Sequence, residues 1–395
     1  MDYRKLLLNN TFVKFGFYFS LAMILVAGLW PFNFWAKNEV EWLKDRNGVH
    51  FYGQGIIFSA PEPGSSQSPL LPDGPITIEL WLQPDSDTYS YLPRILSIYD
   101  GKESEVFFLG QWKSNFAVST QALDAKGRVI YRNTGVENAL SKGKERYIAI
   151  TADETGTRIY VDGRLGLVYP NYSLVPKDRK GLKRIILGNS PTGKGYWRGN
   201  IYGLAIYQRC LTAEQVQQHF QDWISGKPPS FWDGNNKSAI SHFLFNERTG
   251  IRIQDQINRR DLFLLPRFKF PQKVILAPPW MDIRFNLSFF SDVAINVLGF
   301  IPLGFFLAAY LRQKSAFARY SFIAVILCGL ALSLAIELLQ VFLPTRNSQL
   351  TDVLTNTIGT SIGTILFHVY YRSRPTHSIP GDGHLIFSNL SNFHR

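Results

Sequence analysis

Four largely apolar runs of near-membrane length lie at the two ends of this chain: Phe15 to Trp30, Val293 to Leu311, Tyr320 to Phe342 and Val353 to Tyr371. They limit the fold more than any other feature, because about twenty apolar residues in a helix match the hydrocarbon thickness of a bilayer. The stretch between them is polar and rich in turns, so the mean hydropathy of −0.05 averages two unlike materials. The 395 residues read as a soluble domain held between membrane segments.

Positive charge flanks the runs unevenly. Arg4, Lys5 and Lys14 precede the first, Arg312, Lys314 and Arg319 separate the second from the third, and Arg372 and Arg374 follow the fourth. With four spans all three groups fall on one side, which predicts cytoplasmic termini and an extracytoplasmic middle domain. Arg267, Lys269, Lys273 and Arg284 oppose this, but long loops translocate largely regardless of charge. The first run has the charge pattern of a secretory signal. The aromatics of Trp30-Pro-Phe-Asn-Phe-Trp35 suit an interfacial belt, so a retained anchor is expected.

The net charge of +12 comes without a basic stripe interleaved with aromatics, so a membrane surface is the expected partner and nucleic acid is not. Cys210 and Cys328 fall in different regions and predict no disulfide. No metal-ligand spacing, nucleophile elbow or phosphate loop occurs, and no metal or cofactor is expected.

The middle domain has a strand pattern. Ile76-Thr-Ile-Glu-Leu-Trp-Leu82 alternates like a half-buried strand, and Asp162-Gly163 sits between two such runs, where a tight hairpin turn needs positive φ. Thr212 with Gln215 makes a capping box that opens a short helix towards Trp223. Many short strands closed by one helix predict a jelly-roll sandwich. Asp100 with Glu103, and Asp153 with Glu154, read as solvated turn carboxylates. Pro228 and Pro229 open a connector, and His242 to Ile253 reads as an added hairpin turning near Thr249-Gly250. The basic-aromatic segment Arg267 to Lys273 is either an edge strand or a rest for lipid headgroups.

The apolar runs carry polar residues that packing alone does not explain. Asp292-Val-Ala-Ile-Asn296-Val-Leu-Gly299 and Asp352-Val-Leu-Thr-Asn356-Thr-Ile-Gly359 share the form D-V-x-x-N-x-x-G, with Asp, Asn and Gly on one helical face. The helix dipole favours the two aspartates at helix starts, and Gly299, Gly304, Gly359 and Gly363 would allow close helix approach. Glu337 and Gln340 lie within the third run, Glu337 about 9 to 10 Å below its outer end by helical rise. An acid at that depth needs partners, and Arg346, Asn296 and Asn356 are the available donors.

Two resemblances follow from these residues. ITIELWLQP, RYIAITADETGTRIYVDGRL, RIILGNS and WRGNIYGLAIYQRCLTAEQVQQHF resemble strands and the closing helix of the laminin-G-like, concanavalin A-like lectin/glucanase sandwich, over about half the chain. Related glucanases carry an E-x-D-x-E strand, which is absent from this sequence. The resemblance implies glycan binding, with Trp112, Tyr196 and Trp197 as candidate stacking residues. DVAINVLGFIPLG followed by IELLQVFLPTRNSQLTDVLTNTIGTSIG resembles the VanZ-like membrane family, named for a link to teicoplanin resistance. That resemblance singles out Asn296, Pro302, Gly304, Glu337, Gln340, Arg346, Asp352, Asn356 and Gly359. The short, membrane-only members lack a sandwich.

The expected architecture is mixed, a four-helix transmembrane module with an all-β concanavalin A-like jelly roll. Residues 1–36 hold the cytoplasmic N-terminus and first span, 37–225 the sandwich, 226–288 the connector, 289–371 three further spans and 372–395 a cytoplasmic tail. The expected protein belongs to the bacterial inner membrane and binds or handles an envelope polysaccharide, lipid-linked glycan or membrane lipid without catalysis. Asp292, Asn296, Glu337, Gln340, Arg346, Asp352 and Asn356 form its polar cluster, and Pro302, Gly304, Gly359 and Gly363 serve helix packing. The alternative is an intramembrane enzyme on a lipid-linked precursor, with Glu337 or Asp352 as base, for which no nucleophile or metal ligand is evident.

Overall fold

A computed structural model describes residues 10–59, 74–89, 91–99, 105–123, 129–172, 174, 184–193, 195–226, 238–268, 273–282, 287–313, 321–344 and 346–373. The charges Arg4, Lys5, Lys269, Arg284, Lys314, Arg319 and Arg374, the acids Asp100 and Glu103, and Pro228 and Pro229 lie outside the described residues. In chain order the elements begin with α1 (Asn10–Leu29), β1 (Val40–Trp42), β2 (Val49–Phe51), β3 (Ile57–Ser59), β4 (Ile76–Pro84), β5 (Arg94–Tyr99), β6 (Glu105–Trp112), β7 (Asn115–Leu123) and β8 (Val129–Val136). Then follow β9 (Arg146–Asp153), β10 (Gly156–Val161), β11 (Arg164–Pro170), β12 (Arg184–Leu187), β13 (Gly199–Tyr207), α2 (Ala213–Ile224), β14 (Ala239–Phe243), β15 (Arg252–Ile253) and β16 (Leu262–Phe263). The last are α3 (Pro279–Asp282), α4 (Leu287–Arg312), α5 (Ser321–Gln340) and α6 (Leu350–Arg372). Two compact units result, one of Met1–Trp30, Leu276–Leu338 and Gln349–Arg395, the other of Pro31–Ile275 and Leu339–Ser348.

The second unit is a sandwich of two eight-stranded sheets. One runs β1-β2-β13-β4-β9-β10-β11 with β14 also on β13, and the other runs β15-β16-β3-β12-β5-β6-β7-β8. Ile78, Leu80, Ile148, Leu204, Leu96, Phe107 and Val118 interlock between them as one core. The hairpin β10–β11 turns at Asp162 and Gly163, with φ of 50° and 75°, the left-handed pair that such a turn requires. Thr212 caps α2, accepting from the Gln215 amide while the Gln215 side chain accepts from the Thr212 amide. Asp153 takes the amide and hydroxyl of Thr155, and the hydroxyl bond is the main reason its carboxyl is held below the usual range.

Two expectations are corrected. β4 is not half-buried, because Thr77, Glu79 and Trp81 on its outer face are as enclosed as Ile78 and Leu80 on its inner one. The cover is α2, whose Trp223 stacks on Trp81 at 4.3 Å and whose Val216 joins the same cluster. Residues 242–253 are also no hairpin. β14 pairs with β13 in the first sheet and β15 pairs with β16 in the second, so the connector completes both layers. Arg267 makes a single antiparallel bridge with Lys37, and Lys273 Nζ donates to the carbonyls of Leu343, Pro344 and Arg346, which follow α5. The segment expected as strand or headgroup rest thus includes a helix-end cap.

The other unit is helical. By length and composition, Asn10–Leu29, Phe289–Arg312 and Phe322–Gln340 can each cross a membrane, which makes three candidate spans among the described residues rather than four. The expected fourth, α6, is a 23-residue helix of lower hydropathy. Its hydroxyls are turned onto its own backbone: Thr357, Thr360, Ser361 and Thr364 each donate to the carbonyl four residues earlier, at 2.7 to 3.0 Å. Its small residues press on α4. A Cβ on Gly363 would lie 2.0 Å from the Ile301 carbonyl oxygen, one on Gly359 2.3 Å from that of Val297, and one on Gly304 2.1 Å from that of Thr360. Gly299, expected to share this role, faces open space, and Pro302 is an exposed interior proline of α4.

Candidate functional site

α5 is apolar on nearly every side, yet Ser333 and Glu337, four residues apart on one face, are buried at 0% and 1% exposure. The Glu337 carboxylate accepts the backbone N–H of Gln349 at 2.7 Å. Gln349 is the N-cap of α6, where unpaired amides and the helix dipole favour negative charge. That is how an acid is held so far along an apolar helix: the start of the next helix replaces part of its water.

The two D-V-x-x-N motifs are cross-linked to each other and to α5. Asn296 Nδ2 of the first donates to Asp352 Oδ1 of the second at 2.9 Å, joining α4 to α6. Asn356 Nδ2 donates to Ser333 Oγ at 2.9 Å, joining α6 to α5 one turn before Glu337. Asn356 Oδ1 is buried and has no hydrogen-bond partner among the described residues. Asn296, Ser333, Glu337, Asp352 and Asn356 therefore share one helical unit, while Gln340 and Arg346 belong to the sandwich unit. Asp292, at the start of α4, is exposed. Ser333 is the residue that sequence reasoning missed, although its i, i+4 relation to Glu337 could have identified it.

On the sandwich, the three expected stacking residues have different environments. Trp197 is fully buried, donates from Nε1 to Gln111 Oε1 at 2.7 Å and packs near Phe51, so it is a core residue and no sugar contact. Trp112 is 43% exposed at the end of β6. Tyr196 is half-buried and joins a group of aromatics: Tyr91 lies edge-on to it at 5.2 Å, and Tyr89 edge-on to Tyr91 at 5.8 Å. Tyr89 Oη accepts the Arg198 amide at 3.1 Å, and burial pushes its phenol up to about 12. Two residues after Arg198, Asn200 on β13 contacts His50 at 2.6 Å and donates to Gln83 at 2.9 Å, while His50 Nε2 lies 3.3 Å from Asp85. Exposed Tyr52 packs edge-on against His50 at 4.1 Å. A rim of aromatic edges with fixed amide and carboxylate groups has the composition of a small-ligand site. The alternating tyrosines of Thr88-Tyr-Ser-Tyr91, in a loop after a buried strand, were its available sequence signal.

A helical unit with three helices long and apolar enough to cross a membrane, holding an enclosed polar cluster, is joined in one chain to a two-sheet sandwich. Residues 239–371 match the VanZ/LLP1 family, and residues 63–217 match the concanavalin A-like lectin/glucanases superfamily, so the chain is a fusion of a VanZ-like segment with that sandwich. No curated protein matches it. Among solved structures, it is similar to a putative carbohydrate binding protein from Bacteroides ovatus at 14% identity and TM-score 0.38, covering 58% of each chain. It is also similar to the CBM40 of Ruminococcus gnavus IT-sialidase bound to α2,3 sialyllactose, at 14% identity and TM-score 0.36, covering 44% of this chain and 95% of that one.

Proposed function

We propose that this chain is a multi-pass protein of the bacterial cytoplasmic membrane that binds or handles an envelope glycan, free or lipid-linked. Its sandwich is extracytoplasmic, and α6 is its fourth span. The observation that carries the reading is Glu337, 1% exposed, with the unpartnered Asn356 Oδ1 beside the same stripe of α5. An open buried acceptor costs about 1–3 kcal/mol, which a hydroxyl donor from a ligand would recover. Sugar hydroxyls or a headgroup hydroxyl supply the donor that this acceptor lacks. The lectin superfamily match and the Tyr89–Tyr91–Tyr196 rim support recognition of the glycan portion.

The test is co-purification. Full-length protein extracted in mild detergent is expected to retain a glycan-bearing lipid, and Glu337→Gln to retain about ten-fold less at equal abundance, as loss of one charge-assisted bond implies. Equal retention by both proteins, or none by the wild type, overturns the proposal.

The topology has its own test. An impermeant maleimide should label Lys142→Cys, in an exposed turn, from outside intact spheroplasts, and Ser373→Cys, at the end of α6, only after lysis. Both reporters are built on Cys328→Ser, since Cys328 is exposed on α5, and Cys210 adds little background because burial, with Asp153 adding to it, raises its thiol to about 11. Labelling of Ser373→Cys from outside would mean that α6 does not cross.

A further inference from the structure

Within the sandwich unit, the stretch after α1 and the end of α5 border an open cleft of about 420 Å³, in the size range of small-molecule sites. Phe32, Phe34, Trp35 and Phe342 make its walls, with Leu339 from the last turn of α5. Among the described residues, Arg267 is its one charged lining residue and Asn33 its one amide, and no carboxylate lines it. Arg267 Nη1 donates to the Trp35 carbonyl at 3.2 Å, which orients the guanidinium while leaving further N–H donors of the fork available. Phe32 adopts φ of 60°, a left-handed conformation that costs a bulky residue about 1–2 kcal/mol and places its ring in this wall.

We infer that this cleft binds the phosphate headgroup of an anionic membrane phospholipid, with Arg267 on the phosphate and the aromatic wall on the glycerol and first acyl methylenes. A guanidinium recognises phosphate oxygens through paired, charge-assisted bonds. A lone cation among aromatics selects an anion that carries apolar bulk, which a free phosphate lacks. Phe32, Trp35 and Phe342 are 45%, 57% and 42% exposed, the pattern of side chains that face an interface rather than a core. The inference rests on reading α1 and α5 as membrane spans, but it is independent of the Glu337 cluster.

The experiment uses full-length protein in dodecyl maltoside, titrated with brominated phosphatidylglycerol or brominated phosphatidylcholine. Quenching of Trp35 is taken as the difference between wild type and Trp35→Phe. The expected result is half-quenching at about ten-fold less phosphatidylglycerol than phosphatidylcholine, a preference lost in Arg267→Gln and partly kept in Arg267→Lys. Millimolar inorganic phosphate should not reverse it. Equal quenching by the two lipids, an unchanged preference in Arg267→Gln, or full reversal by phosphate overturns the inference. Because Arg267 is exposed, the variant should keep the wild-type melting curve. Failure of the protein to fractionate with membranes would instead refute the spans on which the inference rests.

Discussion

Gly363→Ala should unfold or loosen the helical unit, lowering its stability by about 3 kcal/mol or more, at the upper end of overpacking costs. The new methyl would lie 2.0 Å from the Ile301 carbonyl oxygen and 2.8 Å from the Phe305 amide nitrogen, both backbone atoms of α4. A side chain can rotate away from such a contact, but a backbone can do so only if the two helices separate. Separation would also strain the Asn296–Asp352 hydrogen bond between the same helices. Thermal unfolding in detergent, followed by size exclusion, reads the effect. Gly299→Ala is the control on α4, since a Cβ there meets nothing within 4 Å, and it should be neutral or stabilising by up to about 1 kcal/mol through helix propensity. Equal melting of the two variants would show that α4 and α6 do not approach as closely as described. Gly304→Ala pushes on the Thr360 carbonyl of the same crossing, so combined with Gly363→Ala it should cost less than the sum of the two.

Glu79→Ala should cost the sandwich about 3–5 kcal/mol, the range for removing one member of a buried polar cluster. Glu79 lies between the first sheet and α2 with no exposure, accepting from the Tyr147 and Tyr207 hydroxyls at 2.8 and 3.1 Å, and His219 Nδ1 is 2.8 Å from it. Burial, then the Glu79 carboxylate, raises both phenols well above their ordinary value, so they remain donors at neutral pH. Alanine leaves those groups enclosed without their acceptor. Glu79→Gln keeps an acceptor oxygen and should lose about half as much. Urea unfolding followed by the fluorescence of the stacked Trp81 and Trp223 measures both, as a midpoint shift at constant slope. A midpoint for Glu79→Ala close to wild type would show that water reaches the cluster.

What could be read from the sequence was local. The apolar runs became helices whose ends differ by a few residues, because a membrane-length run needs no tertiary partner to declare itself. The Asp162-Gly163 turn and the Thr212–Gln215 box were legible because their chemistry acts within four residues. Pairings across long separations were not. Ala239–Phe243 alternates as well for a hairpin as for an edge on β13, and only the register of Leu204 with Phe243 decides between them. β4 looked half-exposed because the residues of α2 that cover Trp81 come more than a hundred positions later. In the cluster, residue types and helical faces were legible from spacing. The partners were not, since Asn296 reaches Asp352 and Glu337 reaches a backbone amide that no side-chain pattern encodes.

The VanZ/LLP1 match begins at residue 239, at the first residue of β14, well before the helical unit resumes at Leu276. β14, β15 and β16 therefore lie in the family segment by sequence and in the sandwich by hydrogen bonding. A genetic exchange that joined another partner at residue 239 would strip β14 from β13 and β16 from β3, and would remove Phe243, Phe245, Ile253 and Leu262 from the shared core. The two matched segments are interleaved like a dovetail joint. A break that keeps these pairings has to fall near Ile275, which leaves the last three strands with the lectin-like domain although the VanZ/LLP1 match includes them.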